Sequence, residues 1–167
     1  MKDQNNKITL CSGYQNGLVG WIAQQHGQAY QEKWNFGQFF ECKVARQLCD
    51  FLDKYQPLNS QIWSLVQDGQ ILGSITLDGS HALTDGAHLR WFILDPSLKG
   101  QGYGKRLLQT AVAFAKERNF PSIYLWTLAG LEPAGTLYRS MGFELEESKL
   151  DDQWGMHTQE EKLRLIL

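Results

Sequence analysis

Lys99-Gly100-Gln101-Gly102-Tyr103-Gly104-Lys105 is the stretch on which the reading of this 167-residue chain turns. Its three alternating glycines follow the apolar run His88-Leu89-Arg90-Trp91-Phe92-Ile93-Leu94. They precede Leu107, Leu108, Ala111, Val112 and Phe114, which recur at helical spacing. Alternating glycines let the backbone curl with successive N–H groups turned inward and no Cβ in a ligand's way. At the start of a helix such a nest offers unpaired donors and the positive end of the helix dipole, so it suits phosphate or pyrophosphate. Lys99, Lys105 and Arg106 set mobile positive charge beside it.

Two nucleotide patterns compete for these glycines, and both fit badly. In a P-loop four residues separate the first glycine from Gly-Lys-Ser/Thr; Gly100 and Gly104 are one residue too close, and Arg106 stands where a magnesium-binding hydroxyl belongs. The dinucleotide fingerprint needs its third glycine where Lys105 stands. A plain glycine turn ahead of a helix is the remaining rival.

Outward from the loop, the periodicity predicts a strand over 6–12, helices over 16–33 and 37–55, and strands over 60–67 and 71–77 joined at Asp68-Gly69. A strand over 88–94 ends at Asp95-Pro96, and the glycine segment leads a helix to about Arg118. Pro121 opens the buried strand Ile123-Tyr124-Leu125-Trp126, and Pro133 sits in the first turn of a helix ending near Met141-Gly142. Strands over about 143–149 and 159–166 close the order β-α-α-β-β-β-α-β-α-β-β. The class is α/β (α+β), a mixed sheet with helices on both faces. Without repeats, low-complexity tracts or linkers, one domain over 1–167 is expected.

Hydrophobic residues at 43%, charged residues at 20% and a formal charge of −2 describe an ordinary soluble domain without the basic field of a nucleic-acid binder. Cys11, Cys42 and Cys49 lack metal spacing; Cys42 and Cys49, seven apart, are expected on one buried helix face as inert thiols. The start MKDQNNKITL has no apolar core and no window suits a membrane span, so a cytoplasmic location without membrane contact is expected. His81, His88 and His157 have no partners at ligand spacing, and no metal is expected. The stretch Glu144-Leu145-Glu146-Glu147, with Asp151 and Asp152, reads as a solvated face, its rival reading being a rim that favours a cationic substrate.

The glycine segment also resembles the acetyl-CoA signature of the GNAT superfamily of N-acetyltransferases, Gln/Arg-x-x-Gly-x-Gly/Ala, with Lys99 in the first position and Gly102 and Gly104 in the others. Ala134-Gly135-Thr136-Leu137-Tyr138-Arg139-Ser140-Met141-Gly142-Phe143 resembles the superfamily's Ala-x-x-Leu-Tyr-x-x-x-Gly-Phe segment. Many members carry Asn where this chain has Leu131. The wording of 88–96 and of Leu125-Trp126-Thr127 is similar to the acetyltransferase domain fused to MarR-type regulators, although no winged-helix half is present.

The resemblance implies that strands 88–94 and 121–127 splay apart and that the pantetheine of acetyl-CoA lies between them, bonded near Phe92, Ile93 and Leu94. It implies that the pyrophosphate rests on Gly100, Gln101, Gly102, Tyr103, Gly104 and Lys105. It makes Tyr138 the general acid for the leaving thiolate, with a main-chain N–H such as that of Ile93 at the oxyanion. Strand 121–127 holds no carboxylate to act as base. His26, with Tyr30 at i+4 on the same helix side, is the candidate base, its imidazole near the ordinary pKa of about 6.5; a capping or partly buried histidine is the equal rival. His26, Tyr30, Trp91 and Trp126 are candidates for the acceptor pocket, and strand alternation lets only one of Arg90 and Trp91 face it. The expected activity is direct acetyl transfer to a primary amine of a small molecule or peptide, the alternative being a non-catalytic acyl-CoA sensor. The exposed edges of a seven-strand sheet permit a homodimer.

Overall fold

A computed structural model describes residues 7–167. The described chain forms β1 (Thr9–Ser12), α1 (Leu18–Trp34), α2 (Gln38–Asp53), β2 (Gln61–Gln67), β3 (Gln70–Asp78), β4 (Ala87–Leu94), α3 (Tyr103–Glu117), β5 (Ser122–Leu128), α4 (Ala134–Ser140), β6 (Glu144–Asp151) and β7 (Thr158–Ile166). This is the expected order and a mixed α/β fold. A short 3-10 turn, Pro96–Leu98, is added between β4 and the glycine loop. Of the strand expected over 6–12, residue 6 lies outside the described residues and pairing begins at Thr9.

The strands lie in the order β1-β2-β3-β4-β5-β7-β6. Neighbours are antiparallel except β4 and β5, which are parallel. Asp68 and Gly69 at φ 50° and 76° make the β2–β3 turn, a conformation that Asp-Gly accommodates at little cost.

Two apolar layers cover the sheet's two faces. On one, Leu107, Leu108, Ala111 and Ala115 of α3 pack on Leu65, Ile75, Leu77 and Ile123. On the other, Leu18 and Ile22 of α1 and Phe40, Val44, Leu48 and Phe51 of α2 pack on Ile62, Trp91 and Leu128. The spacing of those α2 residues follows the helical period, so one stripe is buried. Cys42 is half-buried and Cys49 exposed, which corrects their expected burial. Seven residues do return to one side of a helix, but that side flanks the stripe formed by Phe40, Val44 and Leu48.

The β4–β5 pairing decides where a ligand can enter. Only Ala87↔Ile123 and His88↔Tyr124 are in register, after which the strands part. Along β4 burial alternates from Ala87 to Trp91, whereas Phe92, Ile93 and Leu94 are all half-buried. That end of β4 keeps β3 on one edge, through Gly73↔Leu94 and Ser74↔Ile93, and lacks a strand on the other. Backbone groups so released must find a partner in solvent or ligand.

Candidate active site

Three structural elements converge on the gap between β4 and β5. The first is the glycine loop. Gly100 and Gly102 have φ of 74° and 82°, in the left-handed region that glycine enters without penalty. Gly102 is the N-cap of α3, and no side chain caps the helix. The first helical bond runs from Arg106 N–H to Gly102 O at 3.0 Å, so the N–H groups of Tyr103, Gly104 and Lys105 precede any helical acceptor. Gly104 is needed for a different reason. A Cβ there would lie 3.3 Å from Leu94, 3.4 Å from Phe92 and 3.5 Å from Leu137, so its absence lets α3 approach the open end of β4. The donors and free strand edge suit a pyrophosphate joined to an amide-bearing arm.

The second element is a bulge in β4. Between Thr76↔Arg90 and Ser74↔Ile93 the single residue Ile75 faces both Trp91 and Phe92, and Trp91 has φ 46°. The bulge cancels strand alternation, so Arg90 and Trp91 both line the cleft, in place of the single one expected. Arg90 stacks on the Trp91 ring at 4.0 Å, donates to Gln47 at 3.1 Å and lies 3.9 Å from Asp78.

The third element is a cavity of about 340 Å³ behind the gap, walled by α1, α2, β4, β5, α4 and the β6–β7 hairpin. It gathers all five sequence-chosen cleft residues, His26, Tyr30, Trp91, Trp126 and Tyr138. Tyr138, 5% exposed, has its ring 6.0 Å from Phe92 and 5.8 Å from Phe143. Its hydroxyl has no hydrogen-bond partner among the described residues. Burial, and then the nearby Tyr30 phenol, raise its pKa far above the usual range, so it holds its proton at neutral pH.

His26 and Tyr30 do share a helix side, their rings stacked at 5.9 Å. The His26 Nδ1–H donates to Ile22 O at 2.9 Å, leaving Nε2 as the acceptor. Its basicity differs from expectation: burial lowers the pKa to about 4, and the Ile22 bond only partly offsets this. Desolvation opposes the imidazolium. His26 is therefore neutral and a weak base. Burial also pushes Tyr30 up to about 12.

Among the cavity residues that the sequence did not single out are Lys149, Gln153, Trp154 and Glu160. Glu160 matters most, being a carboxylate only 1% exposed. Its strand, β7, lies between β5 and β6, which sets Glu160 opposite Leu128 and Lys149. Period-two alternation on β7 was the available signal, but it required the strand order. The stretch Glu144–Glu147 is instead on the exposed edge strand β6, where Glu146 pairs with Lys162 at 3.1 Å and Arg164 at 2.9 Å. His88 stacks on Tyr124 at 4.5 Å, and burial, then Arg90, lower its pKa to about 3. Among the described residues no three His, Cys, Asp or Glu form a metal-holding group, and no helix is long and apolar enough to cross a membrane.

Residues 19–143 match the model of the Acetyltransferase (GNAT) family. The chain belongs to that family. The match takes in the glycine loop and the Tyr138 segment of this GNAT chain. It is 33% identical over 85 residues to the uncharacterized N-acetyltransferase YjgM of Escherichia coli K12. That alignment covers 49% of this chain and 50% of YjgM, so this GNAT chain spans about half the length of the curated relative it matches. Among solved structures, yncA of Salmonella typhimurium, determined with its cofactor acetyl-CoA, superposes with a TM-score of 0.74 at 13% identity, covering 97% of this chain and 95% of that one. The ribosomal-protein-alanine N-acetyltransferase of Brucella melitensis gives 0.72 at 15% identity, covering 95% and 99%. At such identities the likeness is one of fold.

Proposed function

We propose that the chain is a single acetyl-CoA-dependent N-acetyltransferase domain that passes an acetyl group directly to a primary amine. The observation that carries this reading is the shared gap. An uncapped, glycine-rich helix start and the free edge of β4 lie at one side, and the buried residue Tyr138, whose hydroxyl has no partner among the described residues, lines the cavity at the other. In this reading the N–H groups from Gly100 to Lys105 hold the pyrophosphate. Phe92, Ile93 and Leu94 bond the pantetheine like a neighbouring strand. A strand N–H such as that of Ile93 stabilises the oxyanion.

Tyr138 supplies the proton for the departing thiolate. A thiol's ordinary pKa of about 8.5 lies well below that of a buried phenol, so the uphill transfer requires Tyr138 to be held at the sulfur, where the charge develops. His26, Tyr30, Trp91 and Trp126 are assigned to the acceptor pocket. His26 at about 4 is too weak to serve readily as the base that the sequence suggested. The same fact supports a second reading, a non-catalytic acetyl-CoA sensor similar to the domain fused to MarR-type regulators.

The test is incubation with acetyl-CoA and a panel of polyamines, aminoglycosides, amino acids and Lys peptides, following free thiol. Acceptor-dependent thiol release is expected. Thermal stabilisation by acetyl-CoA without release would favour the sensor. Stronger protection by ATP or NAD than by CoA would overturn both.

A further inference from the structure

Among the described residues Glu160 is the one carboxylate that lines the cavity. Its Oε2 accepts from Gln153 Nε2 at 2.5 Å, while its Oε1 is buried with no partner. Thr127 Oγ1, also on a cavity-lining residue, is buried and unpartnered too. A buried carboxylate oxygen without a donor is costly in the free protein, and a bound N–H group removes that cost. The cavity's cationic side chains are already engaged. Lys149 pairs with Asp151 at 2.7 Å and lies over the Trp126 ring, and Arg90 is held by Gln47 and Asp78. They leave Glu160 unpaired and offer no free cation to an acceptor's carboxylate. Phe36, Phe40, Trp126 and Trp154 make the surrounding wall aromatic.

We propose that Glu160 receives the acceptor's ammonium on Oε1 and takes a proton from it, and that the acceptor is a primary amine on an apolar stem with no carboxylate beside the amine. The inference rests on the acetyltransferase reading and supplies the base that β5 lacks. The acceptor enters as R–NH3⁺ and gives one proton to the Glu160 carboxylate, which releases it to solvent. The freed amine attacks the thioester carbonyl; the C–N bond forms and the C–S bond breaks. Tyr138 protonates the thiolate and is reprotonated by the second proton leaving nitrogen. The products are the acetamide, CoA thiol and one proton. Two features ease the first step. An ammonium in an aromatic cavity loses hydration and becomes more acidic. Burial raises the Glu160 pKa; Asp151 raises it further, and the Gln153 bond with Lys149 and Lys43 lowers it. These groups come from β6, α2 and the segment joining β6 to β7, while Leu128 of β5 is uncharged.

The experiment compares pentylamine with norleucine, and phenethylamine with phenylalanine, each pair differing by one carboxylate. Wild type and Glu160→Gln are assayed by thiol release across pH, and acetyl-CoA binding is measured separately as the check on folding. Glutamine retains an acceptor for Gln153, so E160Q is expected to bind acetyl-CoA unchanged and to lose about a hundredfold or more in kcat/KM, the scale of general-base catalysis. Its remaining rate should climb as pH approaches the amine's own pKa, while wild type shows a lower limb set by the carboxylate. Each decarboxylated amine should exceed its amino acid. Undiminished turnover by E160Q, an unchanged pH profile, or preference for the amino acids would overturn the inference while leaving the transferase intact. Acetyl-CoA binding without release to any amine would overturn both.

Discussion

Tyr138 shows what one residue contributes when its surroundings are fixed by others. Pro133 precedes α4, and Glu132 accepts from the Thr136 N–H at 2.8 Å, which sets the helix start and so the direction of Tyr138 one turn on. Tyr138→Phe keeps the ring between Phe92 and Phe143 and removes only the hydroxyl. Turnover should fall by about a hundredfold, the lower range for a general acid, with acetyl-CoA affinity nearly unchanged. Steady-state kinetics beside a binding titration separates the two, and equal turnover would remove Tyr138 as proton donor. This residue was legible in the sequence because its segment carries its own spacing, Leu137-Tyr138 before Gly142-Phe143. Glu160 was not. It stands 22 residues beyond Tyr138, and only the insertion of β7 between β5 and β6 brings its side chain to the cleft. Residue identity and spacing made the first a candidate; sheet order alone brings the second to the cavity.

At the scale of elements, a helix such as α2 followed from periodicity because Phe40, Val44, Leu48 and Phe51 bury one face of it. The β4 bulge did not, since alternation in sequence runs unbroken through Arg90 and Trp91 while the backbone departs from it. The start of α3 was legible, and it permits a controlled comparison. Gly102 and Gly17 both occupy helix N-caps, with φ of 82° and 87°, and a Cβ at either would meet nothing within 4 Å. Alanine at either position therefore suffers mainly from left-handed backbone strain, about 1–2 kcal/mol. Urea denaturation should show similar losses for Gly102→Ala and Gly17→Ala. Acetyl-CoA affinity should fall only for Gly102→Ala, whose Cβ would stand at the mouth of the nest. Equal affinities in the two variants would exclude the loop from pyrophosphate binding.

For the whole molecule, the burial that shapes the cleft also sets its acid tolerance. His26, on α1, is held neutral by burial with a pKa of about 4, and His88, on β4 against Tyr124 of β5, with one of about 3. In the unfolded chain both return to about 6.5. Above that value neither state binds the proton, and the stability associated with neutral imidazole is complete. As pH falls below it the unfolded chain takes up protons that the native chain refuses, so stability declines until the folded pKa values are reached. For His26 alone the loss between pH 7.5 and pH 5 is about 2 kcal/mol, with a further loss from His88 in the same direction. The carboxylates held low by hydrogen bonds, Asp95 by Ser97 and Glu146 by Arg164, act in a more acid range and do not account for a decline beginning near neutrality. Glu160, with its raised pKa, opposes the decline. Urea denaturation in steps from pH 7.5 to pH 5 should thus show falling stability from the upper end of that range. His26→Asn retains a donor near the Nδ1 position but does not titrate. It should lower stability at pH 7.5 through lost packing, yet flatten the pH dependence by about 2 kcal/mol over the interval. A slope equal to that of wild type would mean that His26 titrates normally in the folded protein. The objection to it as the base would then fall, and with it the need for Glu160.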